Sequence, residues 1–110
     1  MAISLLLPLA SSIQITEVEL NPGGPDSGKE WIEMYSEEEI DLSNYVLTNN
    51  DGDIYEIEGT FSNYFTVELN KQWLDNSDEK VFLKKDDGII SSTEILEDSN
   101  NDGRTWTLCN

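Results

Sequence analysis

The sequence contains no histidine, one cysteine, and only six Lys plus Arg residues against 23 Asp plus Glu residues. Without histidine there is no Ser-His-Asp triad, no Cys-His pair and no histidine-based zinc or iron site. Cys109 has no second cysteine to pair with, and a reactive thiolate needs a positive neighbourhood that this chain lacks. We expect Cys109 to be a buried small residue, or an end exposed by truncation, and the protein not to be an enzyme.

The formal net charge of −17 also narrows the choice of partners. Nucleic acid and acidic phospholipid are disfavoured, because Lys and Arg supply the affinity for polyanions. The excess of acid is typical of a soluble surface in a salty medium, or of cation binding. The chain has 110 residues with three Trp, four Tyr and three Phe. That is enough for one domain to bury a core without disulfides.

Residues 1–12 resemble a secretory leader, since an apolar stretch is followed by the small residues Ala10, Ser11 and Ser12. No Lys or Arg precedes the stretch, and it is too short to span a bilayer. The alternative is a first strand or a core plug, although Pro8 disfavours a long regular strand. We expect residues 1–12 to be a signal-peptide remnant or leader and residues 13–110 to form the domain. An extracellular or cell-surface location without membrane insertion follows.

Beyond the leader, short β-type runs are separated by turn residues about every 8 to 12 positions, as in an antiparallel sandwich or barrel. Ile13 and Ile15 lie on one face of an extended chain, but Val18 and Leu20 are out of phase with them. A β-bulge at positions 16–17 would bring all four residues onto the same face.

The strand predicted over residues 29–35 places Ile32 and Met34 on one face and Trp31, Glu33 and Tyr35 on the other. The run of three Glu at 37–39 predicts a solvated loop, and residues 42–48 predict the next strand. Hairpin turns are predicted at 49–52 and 86–88, because Asp-Gly readily adopts positive φ angles. The remaining strands are predicted near residues 55–57, 65–69, 81–83, 89–90 and 105–109. The fold class is therefore all-β, with about eight or nine strands.

The order of these motifs resembles the lamin-tail domain family over residues 13–107. The resemblance is carried by Ile15-Thr16-Glu17-Val18, Asn21-Pro22, Glu30-Trp31-Ile32-Glu33-Met34-Tyr35, Asp41-Leu42-Ser43-Asn44-Tyr45-Val46-Leu47, Leu74, Asn76, Asp78, Val81-Phe82-Leu83, Asp87-Gly88 and Gly103-Arg104-Thr105. Departures are Ser36, where the family often has Asn, and Asn44-Tyr45, where it often has Gly-Trp.

The resemblance implies an immunoglobulin-like antiparallel β-sandwich. It also implies an extracellular accessory module, of the kind attached to nucleases, other hydrolases or surface anchors. A nuclear role is not implied, because the chain has no heptad-bearing rod and a fold does not confer a function.

A half calcium loop is the best local motif. Asp98, Asn100 and Asp102 supply oxygen ligands at alternate positions and Gly103 permits a sharp turn. The twelfth position is Cys109, where a complete loop has a bidentate Glu. The alternative is a polar surface turn. A weak calcium site is therefore a hypothesis, and no other cofactor is expected.

The tryptophans and the single arginine supply the last expectations. Trp31 and Trp106 lie in predicted strands and are expected in the core, whereas Trp73 lies beside polar residues and is expected to be exposed. Arg104 is expected to pair with carboxylates, for example with that of Glu33. Paired acids can hydrolyse glycosides, but a sandwich of this size rarely forms the cleft that this needs.

Together these observations predict a non-catalytic binding or structural display module of a secreted or cell-surface protein. Its partner would be an unidentified protein or polysaccharide. The alternatives are a calcium-dependent carbohydrate-binding domain, marked by aligned exposed Trp side chains, and an accessory domain of an extracellular nuclease.

Overall fold

A computed structural model describes residues 13–23, 29–86, 88–98 and 104–109. The predicted leader at 1–12 lies outside this part of the chain. The described ranges contain eight strands: β1 (Gln14–Glu19), β2 (Trp31–Asp41), β3 (Tyr45–Thr48), β4 (Ile54–Glu56), β5 (Thr60–Glu68), β6 (Phe82–Lys85), β7 (Gly88–Ser92) and β8 (Trp106–Thr107). The last strand is shorter than the predicted 105–109.

The strands form two four-stranded sheets with antiparallel neighbours throughout. The first sheet has the order β5-β2-β1-β8 and the second the order β4-β3-β6-β7. The chain passes between the sheets after β2, β4, β5 and β7, so each sheet combines strands that are distant in sequence. The predicted all-β sandwich of about eight strands is confirmed.

The core lies between the inner faces of the two sheets, where alternate residues of each strand meet. The buried apolar side chains are Ile13, Ile15, Val18, Leu20, Ile32, Met34, Leu42, Leu47, Phe61, Val67, Leu69, Trp73, Leu74, Val81, Leu83 and Leu96.

The bulge predicted in β1 is confirmed. The pairing of β1 with β2 shifts register between Ile15 and Glu17. As a result Ile13, Ile15, Val18 and Leu20 are all no more than 2% exposed. The extra residue restores the phase of the apolar positions, as the change of phase in the sequence required.

Two predictions about the segment after Tyr35 are wrong. The run of acids at 37–39 is exposed as expected, yet it belongs to strand β2 and not to a loop. The register of β2 against β5 shifts between Ser36 and Ile40, so the run is accommodated as an irregularity of the strand. Leu42–Asn44 form a short 3-10 helix and not the start of β3. The carboxylate of Asp41 accepts a hydrogen bond from the Ser43 N–H (2.9 Å), which favours a turn over an extended chain.

Both predicted hairpin turns join antiparallel neighbours. Between β3 and β4, Gly52 has φ of +86°, and its N–H donates to the Asn49 carbonyl oxygen at 3.0 Å. Between β6 and β7, Asp86 has φ of +56°. Asp87 lies outside the described residues.

Candidate functional site

The outer face of the first sheet carries a group of aromatic and acidic side chains. On β2, Ile32 and Met34 are fully buried in the core, so Trp31, Glu33 and Tyr35 point away from it. These three side chains are half-buried, which agrees with the predicted division of the strand into two faces.

The neighbouring strands extend this group across the sheet. Residues of β1 and β5 lie opposite each of these three residues of β2 in the antiparallel register. The resulting rows are Glu19-Trp31-Glu68, Glu17-Glu33-Thr66 and Gln14-Tyr35-Tyr64. We call Glu17, Trp31, Glu33, Tyr35, Tyr64, Thr66 and Glu68 the aromatic-acidic face.

Several of these side chains are held in place by neighbours. The Thr16 hydroxyl donates to Oε1 of Glu33 at 2.8 Å, and the Thr105 hydroxyl donates to Oε2 of Glu17 at 2.6 Å. The rings of Tyr35 and Tyr64 contact each other across the strands, with centroids 4.9 Å apart. The face therefore presents oriented carboxylates, whose binding to a partner costs less side-chain entropy.

A groove of about 480 Å³ lies at one end of this face. It is lined by Lys29, Glu30, Trp31, Glu33, Thr66 and Glu68. A second groove of about 240 Å³ lies along the seam between β4 and β5. Thr66 and Glu68 line both grooves, so the two meet at the end of β5.

Glu30 borders the groove and has a structural role. Its side chain is only 1% exposed, and its Oε1 accepts hydrogen bonds from the N–H groups of Trp73 (2.8 Å) and Leu74 (3.0 Å). Hydrogen bonds to a carboxylate stabilise its buried charge. Glu30 thereby fixes the loop after β5 against the start of β2.

The prediction that Trp73 is the most exposed tryptophan is wrong. Trp73 is 7% exposed and packs edge-on against Tyr55, with ring centroids 5.6 Å apart. Trp31 and Trp106 are half-buried, and the expectation that Trp31 lies in the core is wrong because its side chain is on the outward face of β2. Trp106 packs against the core, and its indole N–H donates to Glu94 at 2.7 Å. The three tryptophans do not share one face, and Trp31 is the one that lines the groove.

A second buried carboxylate organises the loops at the same end of the sandwich. Glu79 is completely buried. Its Oε1 accepts from the N–H groups of Asn50 (2.8 Å) and Lys80 (2.9 Å), and its Oε2 accepts from the Asp75 N–H (2.7 Å). Three backbone donors that would otherwise lack partners are satisfied by one side chain.

The predicted calcium ligands lie only partly within the described residues. Asp98 is half-buried, and its backbone is held by hydrogen bonds with the Asn76 carbonyl oxygen (2.7 Å) and the Asn21 side chain (2.8 Å). Asn100 and Asp102 lie outside the described part of the chain. Among the residues that are described, no group of three or more Cys, Asp or Glu could hold a metal ion. The calcium hypothesis therefore stays a prediction.

Another acidic pocket, of about 340 Å³, is lined by Asp51, Asp53 and Asp75 together with residues 71–74. Partial burial raises the pKa of Asp75, and the neighbouring Asp51 and Asp53 raise it further through their charges, together with a side-chain hydrogen bond that the protonated Asp75 donates to Asp51. The folded state thus disfavours the ionised form of Asp75.

The two remaining sequence candidates lie at the surface. Cys109 is exposed, so the first of its two expected alternatives, a buried small residue, is wrong. Arg104 is exposed as well, and its pairing with Glu33 stays a prediction.

Comparison with known proteins found no matching family model, no matching curated protein and no matching solved structure. Within the described ranges, no helix is long and apolar enough to cross a membrane.

The sequence identified the outward residues of β2 but not the strands that lie beside them. Tyr64, Thr66 and Glu68 join Trp31 and Glu33 only through the pairing of β2 with β5. The alternation of Thr66 and Glu68 with apolar residues was the available signal for an exposed strand face. The neighbour of that strand could not be read from the pattern.

Proposed function

We propose that the chain is a non-catalytic binding module of a secreted or cell-surface protein, of the lamin-tail type. The observation that carries this proposal is the groove at the aromatic-acidic face. It combines a half-buried Trp31 with the carboxylates of Glu33 and Glu68 on the strands of a sheet. Binding sites commonly combine an aromatic surface with a few oriented polar groups.

The choice of binding over catalysis rests on residue chemistry. The chain has no histidine, and its one cysteine is exposed in a strongly acidic protein. The acidic side chains with a defined environment are explained by other roles. Glu30 and Glu79 hold loop backbone, while Glu17 and Glu33 accept hydrogen bonds from threonine hydroxyls.

The location is proposed from the sequence of residues 1–12, whose apolar run and small residues resemble a secretory leader. A protein or a polysaccharide at the cell surface is the partner class that this location supplies. The strongly negative charge supports neither direct nucleic-acid binding nor attraction to acidic lipid.

Isotope-labelled protein titrated with a panel of soluble probes tests the proposal. The panel contains a basic peptide, an acidic peptide and a neutral polysaccharide. At least one probe should shift the amide resonances of β2 and β5, and none should be chemically altered. If no probe binds, or if the shifts lie on the second sheet, the assignment of the groove as a binding site is wrong.

A further inference from the structure

We propose that the groove binds an extended protein segment rich in Arg or Lys. This inference rests on the proposed binding function and names the partner class of the same site. It is drawn from the charge of the grooves, from the position of Trp31 and from the way the two grooves join.

The charge of the lining residues favours a cationic occupant. The first groove is lined by the carboxylates of Glu33 and Glu68 and by the single amine of Lys29, while the carboxylate of Glu30 is buried against backbone N–H groups. The second groove adds Glu56 and Glu58 and no basic residue. Concave surfaces lined by one sign of charge concentrate the electrostatic field and attract ligands of opposite charge.

Trp31 makes the groove selective for cations that can stack on an aromatic ring. Its indole is half-buried at the start of β2, an inner strand of the sheet, and in the strand pairing it lies between Glu19 and Glu68. A guanidinium group can stack on an indole ring and at the same time bind a carboxylate through two parallel hydrogen bonds. A surface of carboxylates alone would not distinguish Arg from any other cation.

The shape of the site favours a segment over a single small cation. Thr66 and Glu68 border both grooves, so the acidic surface continues from the outer face of the first sheet around the end of β5 to the seam with β4. In an extended peptide every second side chain points the same way. Alternate basic side chains could therefore occupy both grooves.

A neutral polysaccharide fits these observations less well. Sugar binding would use aromatic rings as a platform, and Trp31 is the one tryptophan that lines the groove. A neutral chain would also gain nothing from the charges of Glu33, Glu56, Glu58 and Glu68. The observations therefore favour the basic segment, and polysaccharide binding is an outcome that the experiment can detect.

The experiment measures the affinity of the full chain for a short peptide that alternates Arg with Ser, using calorimetry at low and at higher salt. The same peptide with Glu in place of Arg is the charge control. Wild-type protein should bind the Arg peptide more weakly as salt rises, and should not bind the Glu peptide.

Two double variants with the same net charge locate the site. Glu33→Gln with Glu68→Gln changes the groove, whereas Glu37→Gln with Glu39→Gln changes the exposed acidic run of the same strand. Each raises the net charge from −17 by two, to −15. The groove variant should lose about tenfold or more in affinity and the control less than about threefold, because paired charges at a contact contribute more than distant ones.

A third variant tests the aromatic contribution. Trp31→Leu keeps every charge and should weaken binding several-fold, with amide spectra showing that the fold is retained. Equal losses in the two double variants would show that only the overall charge attracts the peptide, and would overturn the proposal.

Binding of a neutral glucan to the same face, without binding of the Arg peptide, would also overturn the proposal while leaving the binding-module function intact. If neither probe binds, both the partner class and the proposed function fail.

Discussion

The two faces of strand β2 differ in how their residues are used. Ile32 and Met34 are fully buried between the sheets, whereas Trp31, Glu33 and Tyr35 remain half-buried on the outside. An outward face of a sheet that needs only solubility requires no large aromatic side chains. The inward face of β2 therefore stabilises the fold. The outward face, where aromatic side chains lie beside oriented carboxylates, is available for a partner.

The acidic residues show the same division. Glu30 and Glu79 are buried and accept hydrogen bonds from backbone N–H groups, so their charges serve the fold. Glu33 and Glu68 border a groove that is open to solvent. The role of a carboxylate in this protein therefore depends on its burial and its hydrogen-bond partners, which the excess of acidic residues in the composition does not reveal.

The largest difference between the two faces should appear on substitution by alanine. Ile32→Ala should lower the free energy of unfolding by about 2 to 5 kcal/mol, because it leaves a cavity in the core. Trp31→Ala should cost only about 1 kcal/mol, since the indole is already partly in water. Urea denaturation followed by circular dichroism measures both losses. A loss for Trp31→Ala as large as that for Ile32→Ala would show that the outer face also serves as core.

Substitution of a buried acid and of an exposed acid should also differ in its effect on the free energy of unfolding, but by less. Glu79→Gln should destabilise the protein by about 1 to 3 kcal/mol, because an amide NH₂ would replace one oxygen that now accepts a backbone hydrogen bond. Glu39→Gln, on the exposed part of β2, is the matched control and should change stability by less than about 0.5 kcal/mol. Similar effects of the two substitutions would mean that Glu79 acts mainly through the overall charge.

The fold could largely be predicted because its signals are local. The change of phase of the apolar residues between Ile15 and Val18 requires a bulge, whichever strand pairs with β1. Gly52 indicates a turn without reference to any distant residue, because glycine readily adopts a positive φ angle. The prediction of a loop at 37–39 is wrong because exposed charges are compatible with both a loop and a solvent-exposed part of a strand. Leu42 was misassigned since a competing local bond, from the Ser43 N–H to Asp41, decides its conformation.

The site could be predicted only in part because it depends on contacts between distant residues. Trp73 was expected to be exposed from its polar neighbours in sequence. It is buried because Glu30, 43 residues away in sequence, binds its backbone N–H. In the same way Glu68 reaches Trp31 only through the register of β5 against β2. Periodicity describes the faces of a strand but does not identify the strand beside it.

The calcium hypothesis asks whether acidic residues of this chain also form a specific metal site. If Asp98, Asn100 and Asp102 bind calcium, the dissociation constant should be about 0.1 to 1 mM, because the twelfth-position Glu is absent. Millimolar calcium should then raise the melting temperature more than magnesium at equal concentration. Asp98→Ala with Asp102→Ala should remove the difference between the ions. Equal effects of calcium and magnesium would reduce the segment to an acidic turn.

The smallest expected effect concerns Asp75, an exposed acid that lies in one pocket with Asp51 and Asp53. Its surroundings raise its pKa above the ordinary value, first through burial and then through Asp51 and Asp53. The unfolded chain therefore loses this proton at a lower pH than the folded protein does, so stability decreases as pH rises through the raised pKa.

Asp75→Asn removes the charge and keeps a hydrogen-bond donor toward Asp51. The variant should melt slightly higher than wild type at neutral pH, and this advantage should vanish at a pH below the ordinary pKa of Asp, where Asp75 is protonated in both states. Thermal melts across the acid range measure this difference, with Glu39→Gln as a control that removes the same unit charge. An advantage that persists undiminished at low pH would show that the substitution stabilises the fold without any change of charge. An advantage that Glu39→Gln reproduces in full would show that relief of the overall negative charge, and not the local environment of Asp75, is the cause.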